Sequence, residues 1–394
     1  MSDLFGGSAV SWPLVKIKDV GRVFTGKTPS KATDEYFGGH IPFVTPAELD
    51  NEVYVFTAKQ TLTSLGAQQI KLLPKDAVMV CCIGSLGKIG IAGCELATNQ
   101  QINSVVFDES KVFPKYGYYA LSLLKPILEK IAPSTTVAIV NKTNFESLEI
   151  PLPPLAEQKR IAAILDKADA IRRKRQQAIK LADEFLRSVF LDMFGDPVSN
   201  PKGWPCLKLE SLVSKPITYG ILKPEEFVPN GIPMLRIQDL TQGIIDTASE
   251  FHLVSEKLSC QYKRTILEGG EIVISLVGSI GIVARVPYEL HGANVHRNLG
   301  VIQLKDSSIA EYITSFMQLP QFMQILERVS KGGVHKLLNL ADVKEIEIPM
   351  PTLDVIEKYT EIKLHLKGLV TKCESAKKEL IFESLSQKAF SGQL

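Results

Sequence analysis

The chain repeats itself, and this repetition limits the possible folds more than any other feature. Segments of the first half return in the same order in the second half. Repetition over most of a chain indicates a duplicated folding unit, so we predict two copies of one unit. The matched segments are residues 11–17 (SWPLVKI) with 203–209 (GWPCLKL), 41–49 (IPFVTPAEL) with 232–240 (IPMLRIQDL), 80–92 (VCCIGSLGKIGIA) with 274–286 (ISLVGSIGIVARV), and 149–155 (EIPLPPL) with 347–353 (EIPMPTL).

Each copy has the same predicted anatomy. Short β-rich runs bounded by Gly, Pro and Asn turns come first, followed by a helical segment at residues 116–131 or 309–329. Pro126 and Pro320 should split these helical segments, because proline cannot donate the hydrogen bond of a helix interior. The EIPLP and EIPMP segments then predict an extended hinge, since residues before proline avoid the helical region. A long helix follows each hinge.

The long helices carry the clearest periodicity. Apolar residues recur in alternating steps of four and three, which is typical of a coiled-coil seam. A helix of roughly 33 residues would be about 50 Å long. Small alanines on the first helix and leucines on the second favour packing of one on the other. The predicted packing residues are Ile161, Ile164, Ala168, Ile171, Ala178 and Ala182 on the first helix, and Tyr359, Ile362, Leu366, Leu369, Cys373, Ala376 and Leu380 on the second.

The predicted fold class is therefore α+β. Two repeated mixed α/β domains, at residues 1–154 and 195–352, are separated by two long helices packed as an antiparallel coiled coil. The helices are predicted at residues 155–194 and 353–394. Two unrelated amphipathic helices lying on separate domains are the alternative.

Four consecutive basic residues lie inside the first long helix: Arg172, Arg173, Lys174 and Arg175. Such a run is typical of import signals and nucleic-acid patches, but it more often covers the solvated face of a helix. The first three lie off the seam, and we expect them to face solvent, phosphates or a partner protein. Arg175 occupies a seam position and should extend its charged end out of the helix pair.

Composition narrows the location and the partners. The net charge is only +2, with pI ≈ 8.1, so any nucleic-acid contact must come from locally concentrated basic residues. No apolar run approaches the roughly 18 residues that span a bilayer. The six cysteines form no CxxC pair and are expected to be buried free thiols. We expect a cytoplasmic protein without a metal site.

Several segments of the chain resemble a known protein family. Residues 151–171 (PLPPLAEQKRIAAILDKADAI), 193–197 (MFGDP) and 387–394 (QKAFSGQL) are similar to the conserved regions of type I restriction–modification specificity (S) subunits. The segments GKTPSKATDEYFGGHIPF and ITYGILKPEEFVPNGIPMLRIQDL look like the openings of that family's target recognition domains. The resemblance covers nearly the whole chain, in both copies.

The resemblance implies a non-catalytic subunit that binds double-stranded DNA. Its recognition domains would read the two halves of a bipartite target, and its helices would set the spacer. It would recruit two methyltransferase subunits, which methylate adenine N6, and restriction subunits. S-adenosylmethionine, ATP and magnesium would belong to those partners, and this chain would hold no cofactor. Free in solution, its exposed apolar faces would favour self-association.

The residues themselves leave other functions open. An adenine methyltransferase needs an Asn/Asp-Pro-Pro-aromatic motif, whereas the one Pro-Pro pair here lies between Leu152 and Leu155. Residues 21–28 (GRVFTGKT) match the phosphate-binding P-loop pattern, although Pro29 follows at once where a helix should begin. A P-loop NTPase and a coiled-coil adaptor that does not bind DNA are therefore the alternatives.

DNA contacts are expected from loop residues able to bind phosphates or base edges. Arg suits guanine, Asn and Gln suit adenine, and Lys suits phosphate. The candidates are Lys27, Thr28, Ser30, Lys31, Ser85, Lys88, Gln100, Gln101 and Lys142 in the first copy, and Tyr219, Lys223, Arg236, Arg285, His296, Arg297, Lys331, His335 and Lys336 in the second.

Overall fold

The computed structural model describes residues 12–132, 137–223, 228–241, 243–330, 337–374 and 379–394. The chain forms two compact units. Unit 1 comprises the residues up to 176 together with 374–394, and unit 2 comprises residues 177–373. Unit 1 is thus built from two separate stretches of the chain, whereas unit 2 is continuous.

The elements follow nearly the same order in the two halves of the chain, with one additional strand in the second half. The first region contains β1 (Leu14–Lys16), α1 (Ile17–Val20), β2 (Gly21–Thr25), β3 (Phe37–Val44), β4 (Tyr54–Val55), β5 (Gln60–Leu62), α2 (Ser64–Gln68), β6 (Val78–Cys81), β7 (Ile89–Ala92), β8 (Ala97–Thr98), β9 (Ile102–Phe107), α3 (Pro114–Ser122), α4 (Lys125–Ile131), α5 (Lys142–Glu146) and β10 (Glu149–Pro151), and then α6 (Leu155–Phe194). The second region contains β11 (Cys206–Lys208), α7 (Leu209–Leu212), β12 (Thr218–Tyr219), β13 (Ile232–Leu235), β14 (Leu240–Thr241), β15 (Ile244–Ile245), β16 (His252–Val254), α8 (Glu256–Gln261), β17 (Ile272–Ser275), β18 (Val283–Arg285), β19 (Asn294–Val295), β20 (Leu299–Ile302), α9 (Ala310–Gln318), α10 (Phe322–Val329), α11 (Leu340–Lys344) and β21 (Glu347–Pro349), and then α12 (Leu353–Glu374) and α13 (Glu379–Phe390).

The sheets repeat as the sequence does. Unit 1 has a sheet in the order β2-β9-β6-β7-β4 and a second in the order β5-β3-β8. Unit 2 has the corresponding orders β12-β20-β17-β18 and β16-β13-β19. In both small sheets the last pair is parallel while its neighbour is antiparallel. The duplicated mixed α/β architecture predicted from the sequence is confirmed.

The EIP segments are paired strands. β10 pairs antiparallel with β1, and β21 pairs in the same way with β11, so each domain closes by joining its last strand to its first. The hydroxyl of Tyr116 donates to the carbonyl of Pro151 at 2.7 Å, and Tyr312 donates to Pro349. The predicted extended conformation is confirmed, but the segments predicted to be hinges are paired strands.

The two prolines act as predicted. α3 ends at Ser122, and α4 starts at Lys125 with Pro126 in its first turn. α9 ends at Gln318, and Pro320 lies in the break before α10. Proline is tolerated in a first turn because the amide it lacks would have no helical partner there.

The long helix α6 has 40 residues and contributes to both cores. In unit 1, Ile161 and Leu165 are buried in the same cluster as Phe390 of α13. In unit 2, Phe190 and Phe194 at the end of α6 contact Tyr312, with ring centroids 5.5 and 4.7 Å away. Each end of α6 therefore belongs to a different hydrophobic core.

The predicted packing residues differ in exposure along the helices. Coiled-coil pairing along the whole seam stays a prediction. Ile161 and Tyr359 are buried; Ile164, Ala168, Ala182 and Leu366 are half-buried; Ala178, Ile171, Ile362 and Leu369 are exposed; Cys373 and Leu380 have no described side chains, and Ala376 lies outside the described residues.

The two tryptophans make the same contact in each unit. The indole Nε1 of Trp12 donates to the carbonyl of Ala389 at 3.1 Å. Trp204 donates to the carbonyl of Phe194 at 3.0 Å. Each indole thus donates to a backbone carbonyl in the last turn of a helix, α13 or α6, where carbonyls have no helical partner.

Candidate nucleic-acid interface

The P-loop pattern does not form a phosphate-binding loop. Such a loop needs backbone amides free to point at the phosphate and a helix directly after it. Here β2 covers the first part of the motif and pairs with β9. The amides of Gly26 and Lys27 donate to the carbonyls of Ile102 (3.0 Å) and Thr98 (2.9 Å). The structure therefore excludes the NTPase alternative.

Gly26 has a different role, which the second copy shares. A Cβ at Gly26 would lie 2.2 Å from the carbonyl oxygen of Asn99, and one at Gly220 would lie 1.9 Å from that of Val295. Both glycines follow the corresponding strands β2 and β12. They are glycines because another backbone segment passes where a side chain would stand.

A basic cavity of about 280 Å³ opens beside Gly26 in unit 1. Two lysines and two threonines line it, together with apolar residues. The Lys71 ammonium lies over the Phe24 ring, 3.6 Å from the centroid, which fixes one positive charge by a cation–π contact. The lining residues are Phe24, Thr25, Gly26, Lys71, Leu73, Thr98 and Lys142.

The charge of this cavity is not neutralised by its lining. The lining includes no Asp or Glu, and within the described part of the chain neither lysine forms an ion pair. Lys142, the first residue of α5, was predicted to contact DNA, whereas Lys71 was missed because it belongs to no motif. The corresponding first residue of α11 is Leu340, so unit 2 has no counterpart of Lys142.

The predicted contact loop continues from this cavity. Lys27, Ser30 and Lys31 are exposed. The Thr28 hydroxyl donates to Gln100 Oε1 at 2.7 Å, which ties the loop to the exposed turn before β9. Of the predicted residues, Lys142 lines the cavity, Lys27 directly follows the lining residue Gly26, and Thr28 contacts Gln100.

Other predicted contacts in unit 1 form internal hydrogen bonds. Lys88 Nζ donates to the carbonyl of Pro46 at 3.4 Å. Gln101 exchanges side-chain and backbone hydrogen bonds with Asn99, and its Nε2 donates to the Ile83 carbonyl at 3.4 Å. Ser85 is exposed in the turn between β6 and β7. Ser85 is accessible to DNA, whereas Gln101 mainly orders its own turn.

Two predicted arginines in unit 2 are already paired. Arg285 forms an ion pair with Glu311. Arg236 Nε lies 3.6 Å from Oδ2 of Asp239. The same oxygen accepts a hydrogen bond from the backbone N–H of Arg236 at 2.7 Å. An arginine held by a carboxylate has less positive charge to offer a phosphate, so these two are weaker candidates than the free side chains.

His296 is half-buried, and its surroundings disfavour the charged form of the imidazole. Burial lowers the pKa of His296, and the nearby positive charges of Arg297 and Arg236 lower it further. Its Nδ1 lies 3.3 Å from the amide of Asn298 and can accept from it in the neutral form. Its contribution to DNA binding would be a hydrogen bond.

The remaining candidates of the second copy are accessible or lie outside the described residues. Tyr219 is 38% exposed, and Lys223 and Arg297 are exposed. Lys331, His335 and Lys336 lie outside the described residues. All of the DNA-contact residues stay predictions.

The basic run in α6 is partly an internal contact of unit 1. Asp169, only 3% exposed, accepts from Arg172 and Arg173 at 2.6 Å each. Arg173 also donates to the carbonyl of Asn51 at 2.7 Å and lies 3.3 Å from the Tyr118 hydroxyl. The prediction that these two arginines face solvent or a ligand was wrong. Lys174 is exposed and Arg175 is half-buried.

The cysteines with described side chains differ in exposure. Cys81 and Cys82 are buried, and burial raises the pKa of Cys82 to about 12. Cys94 is half-buried, and Cys206 and Cys260 are exposed, so the prediction of buried thiols was wrong for these three. No group of His, Cys, Asp and Glu within the described residues could hold a metal ion. Among those same residues, no helix is long and apolar enough to cross a membrane.

Two copies of one domain, each joined to a long helix, define a tandem-domain protein that presents two related surfaces. The chain matches the model of the type I restriction modification DNA specificity domain twice, over residues 9–181 and 201–368, and it belongs to that family. Membership implies DNA sequence recognition. Specificity subunits of type I systems are non-catalytic, and members of the family assemble with methylase and restriction subunits.

The relatives span most of the chain. The type I restriction enzyme MjaIX specificity subunit of Methanocaldococcus jannaschii is 26% identical over 373 residues, covering 88% of this chain and 85% of the relative. The EcoBI specificity subunit of Escherichia coli is 24% identical, covering 75% and 69%. The crystal structure of the type I restriction–modification S subunit from M. genitalium has the same fold, with a TM-score of 0.58, 17% identity and 97% of each chain covered.

Proposed function

We propose that this chain reads a bipartite DNA target, with one recognition domain for each half-site, and recruits adenine-N6 methyltransferase and restriction subunits. The duplicated domain carries this proposal, because two copies of one fold with different loops suit two different half-sites. S-adenosylmethionine, ATP and magnesium would then be bound by the partner subunits. The family's role in DNA recognition argues against an adaptor that does not bind DNA.

Exposed apolar side chains on the long helices support recruitment of other subunits. Leu181 and Phe185 of α6 are 55% and 52% exposed, and Leu364 of α12 is 52% exposed. Neighbouring apolar side chains that are exposed together are typical of interaction surfaces, and Leu181 and Phe185 lie one turn apart on α6. The same side chains favour self-association of the free chain.

The decisive experiment maps adenine methylation. The chain is co-expressed with a cognate methyltransferase subunit in a host without other adenine methylation, and the genome is sequenced with a method that detects N6-methyladenine. We expect one new bipartite motif with a spacer of fixed length. A continuous motif would contradict the two-domain reading, as would no new methylation with a partner whose activity is verified separately.

The cavity in unit 1 is the proposed phosphate contact of the first recognition domain. Lysine binds phosphate as a point charge, and each neutralised phosphate adds about 0.9 to the slope of log affinity against log salt. In the assembled methyltransferase complex, the variant Lys71→Ala/Lys142→Ala should therefore bind all DNA sequences more weakly. Its salt slope should be shallower by about 1–2, as measured by fluorescence anisotropy.

A control of equal charge tests whether position matters. Lys18→Ala/Lys130→Ala removes two exposed lysines of the same unit that do not line the cavity. It should keep the salt slope of the unmodified complex. Equal losses in both variants would mean that overall charge, and not the cavity, binds phosphate.

A further inference from the structure

In unit 1 an ion pair joins the domain to its long helix. Lys115 at the start of α3 lies 2.5 Å from Asp166 of α6. One turn further along α3, the Tyr119 hydroxyl donates to the other oxygen of Asp166 at 2.7 Å. The two charged side chains are only 25% and 30% exposed, so the pair is partly shielded from water.

Unit 2 has the corresponding contact with its charges reversed. Glu311 at the start of α9 lies 2.8 Å from Lys363 of α12. Lys363 also donates to the Ser315 hydroxyl at 2.8 Å. Glu311 and Lys363 are 10% and 15% exposed, and Arg285 forms a second ion pair with Glu311. Burial would raise the pKa of Glu311, but these two cations outweigh it and hold the pKa below its ordinary value.

The two contacts occupy matching places in the repeat. Lys115 and Glu311 each precede the tyrosine, Tyr116 or Tyr312, that donates to the last proline of the closing strand. Tyr119 and Ser315 follow the respective charges at the same spacing. On the domain side, the two positions are therefore equivalent and opposite in sign.

The long helices carry different side chains at the positions that face these charges. Counted from Leu155 and Leu353, which begin them, Lys363 corresponds to Leu165 and Leu364 corresponds to Asp166. Leu165 is fully buried in the core of unit 1. The first helix thus offers a leucine and a carboxylate where the second offers a lysine and a leucine.

Several other contacts of the interface recur in both units. Tyr116 contacts Phe390 with ring centroids 5.4 Å apart, and Tyr312 contacts Phe194 at 4.7 Å. The closing strands and the tryptophan contacts also recur in both units. Against these shared contacts, the two ion pairs stand out because their charges are opposite in sign.

We propose that this reversed pair of charges assigns each recognition domain to its own long helix, so that the two domains cannot exchange positions in the chain. If the second domain preceded α6, Glu311 would keep Arg285 from its own domain but would lose Lys363, and it would face Leu165 and the carboxylate of Asp166. Burying a carboxylate that has lost one of its two cations beside a second carboxylate is unfavourable. Lys115 and Glu311 are positioning residues, since they fix how a domain sits on its helix.

The first test is a charge cycle in the full chain. Lys115→Glu or Asp166→Lys alone places like charges together and should lower the melting temperature by about 5 °C. The double variant Lys115→Glu/Asp166→Lys restores an ion pair with the polarity of unit 2. It should recover at least half of that loss. A double variant no more stable than the worse single variant would overturn the proposal.

The second test exchanges a domain. In the hybrid, residues 205–352 replace residues 13–154, and Leu165→Lys/Asp166→Leu is then added to give α6 the side chains of α12. These two substitutions should raise the melting temperature of the hybrid and lower that of the natural chain. The same sign of effect in both backgrounds, or no effect in the hybrid, would overturn the proposal.

DNA methylation supplies a separate readout. With a cognate methyltransferase subunit, the hybrid that carries Leu165→Lys/Asp166→Leu should direct DNA methylation, and the hybrid without these substitutions should not. This part rests on the proposed function, whereas the melting measurements do not. If the natural chain directs no methylation while the melting data behave as expected, the proposed function fails and the assignment of domains to helices stands.

Discussion

Replacing Asp169 with alanine should destabilise unit 1 by about 3 kcal/mol, because it leaves two arginines without their carboxylate. Asp169 is nearly inaccessible to water and receives hydrogen bonds from both Arg172 and Arg173. Arg173 in turn holds the carbonyl of Asn51. Breaking a buried pair costs more than the pair contributes, since the remaining charges stay partly desolvated.

Urea unfolding measures this loss if the signal comes from unit 1 alone. The chain has two tryptophans, one in each unit, so in a Trp204→Phe background the fluorescence of Trp12 reports unit 1. Glu157→Ala is the matched control. It removes a carboxylate 2.7 Å from Arg160 in the part of α6 that belongs to unit 1, and, because this pair is more exposed, it should change stability by no more than about 1 kcal/mol. Equal effects of the two substitutions would show that Asp169 is an ordinary surface partner.

Adding a methyl group at Gly26 or Gly220 should destabilise the fold at least as much as Asp169→Ala does. The added Cβ would overlap the backbone oxygen of Asn99 or Val295, and backbone cannot move aside as a flexible side chain can. We expect Gly26→Ala and Gly220→Ala each to cost about 3–5 kcal/mol and to reduce the yield of folded protein. Thermal melting and soluble yield measure the effect.

Gly368→Ala is the control for these glycine substitutions. Gly368 is exposed in α12, and a Cβ there would meet nothing within 4 Å. Alanine should stabilise the helix by up to about 1 kcal/mol, because glycine is the poorer helix former. If Gly26→Ala were equally harmless, the close backbone approach would not be the reason for glycine at the end of β2.

The repeat was the strongest guide to the fold because a duplicated unit must use each matched segment in the same way. It predicted the two mixed domains, and Pro126 and Pro320 predicted the breaks in both helical segments. The EIP segments were misread as hinges because their partners, β1 and β11, lie more than a hundred residues away in sequence. Three residues contain no periodicity from which to predict such a pairing.

The candidate site was harder to predict for a physical reason. A cavity joins residues that are distant in sequence, such as Phe24, Lys71 and Lys142, and none of them belongs to a motif that would reveal the others. The P-loop pattern was misleading in the opposite way, since the letters matched while the amides were committed to neighbouring strands. For the basic run, Asp169 lies three and four residues before Arg172 and Arg173. That spacing could have revealed the ion pairs, but not their burial.

From the divided construction of unit 1 we expect a particular order of folding during synthesis. Ala389 and Phe390 belong to the core of unit 1, yet the ribosome makes residues 374–394 only after all of unit 2. Domains generally fold as units while the chain emerges. Unit 2 can therefore finish first, and the half of the protein whose translation begins earlier is the half that waits for its last helix.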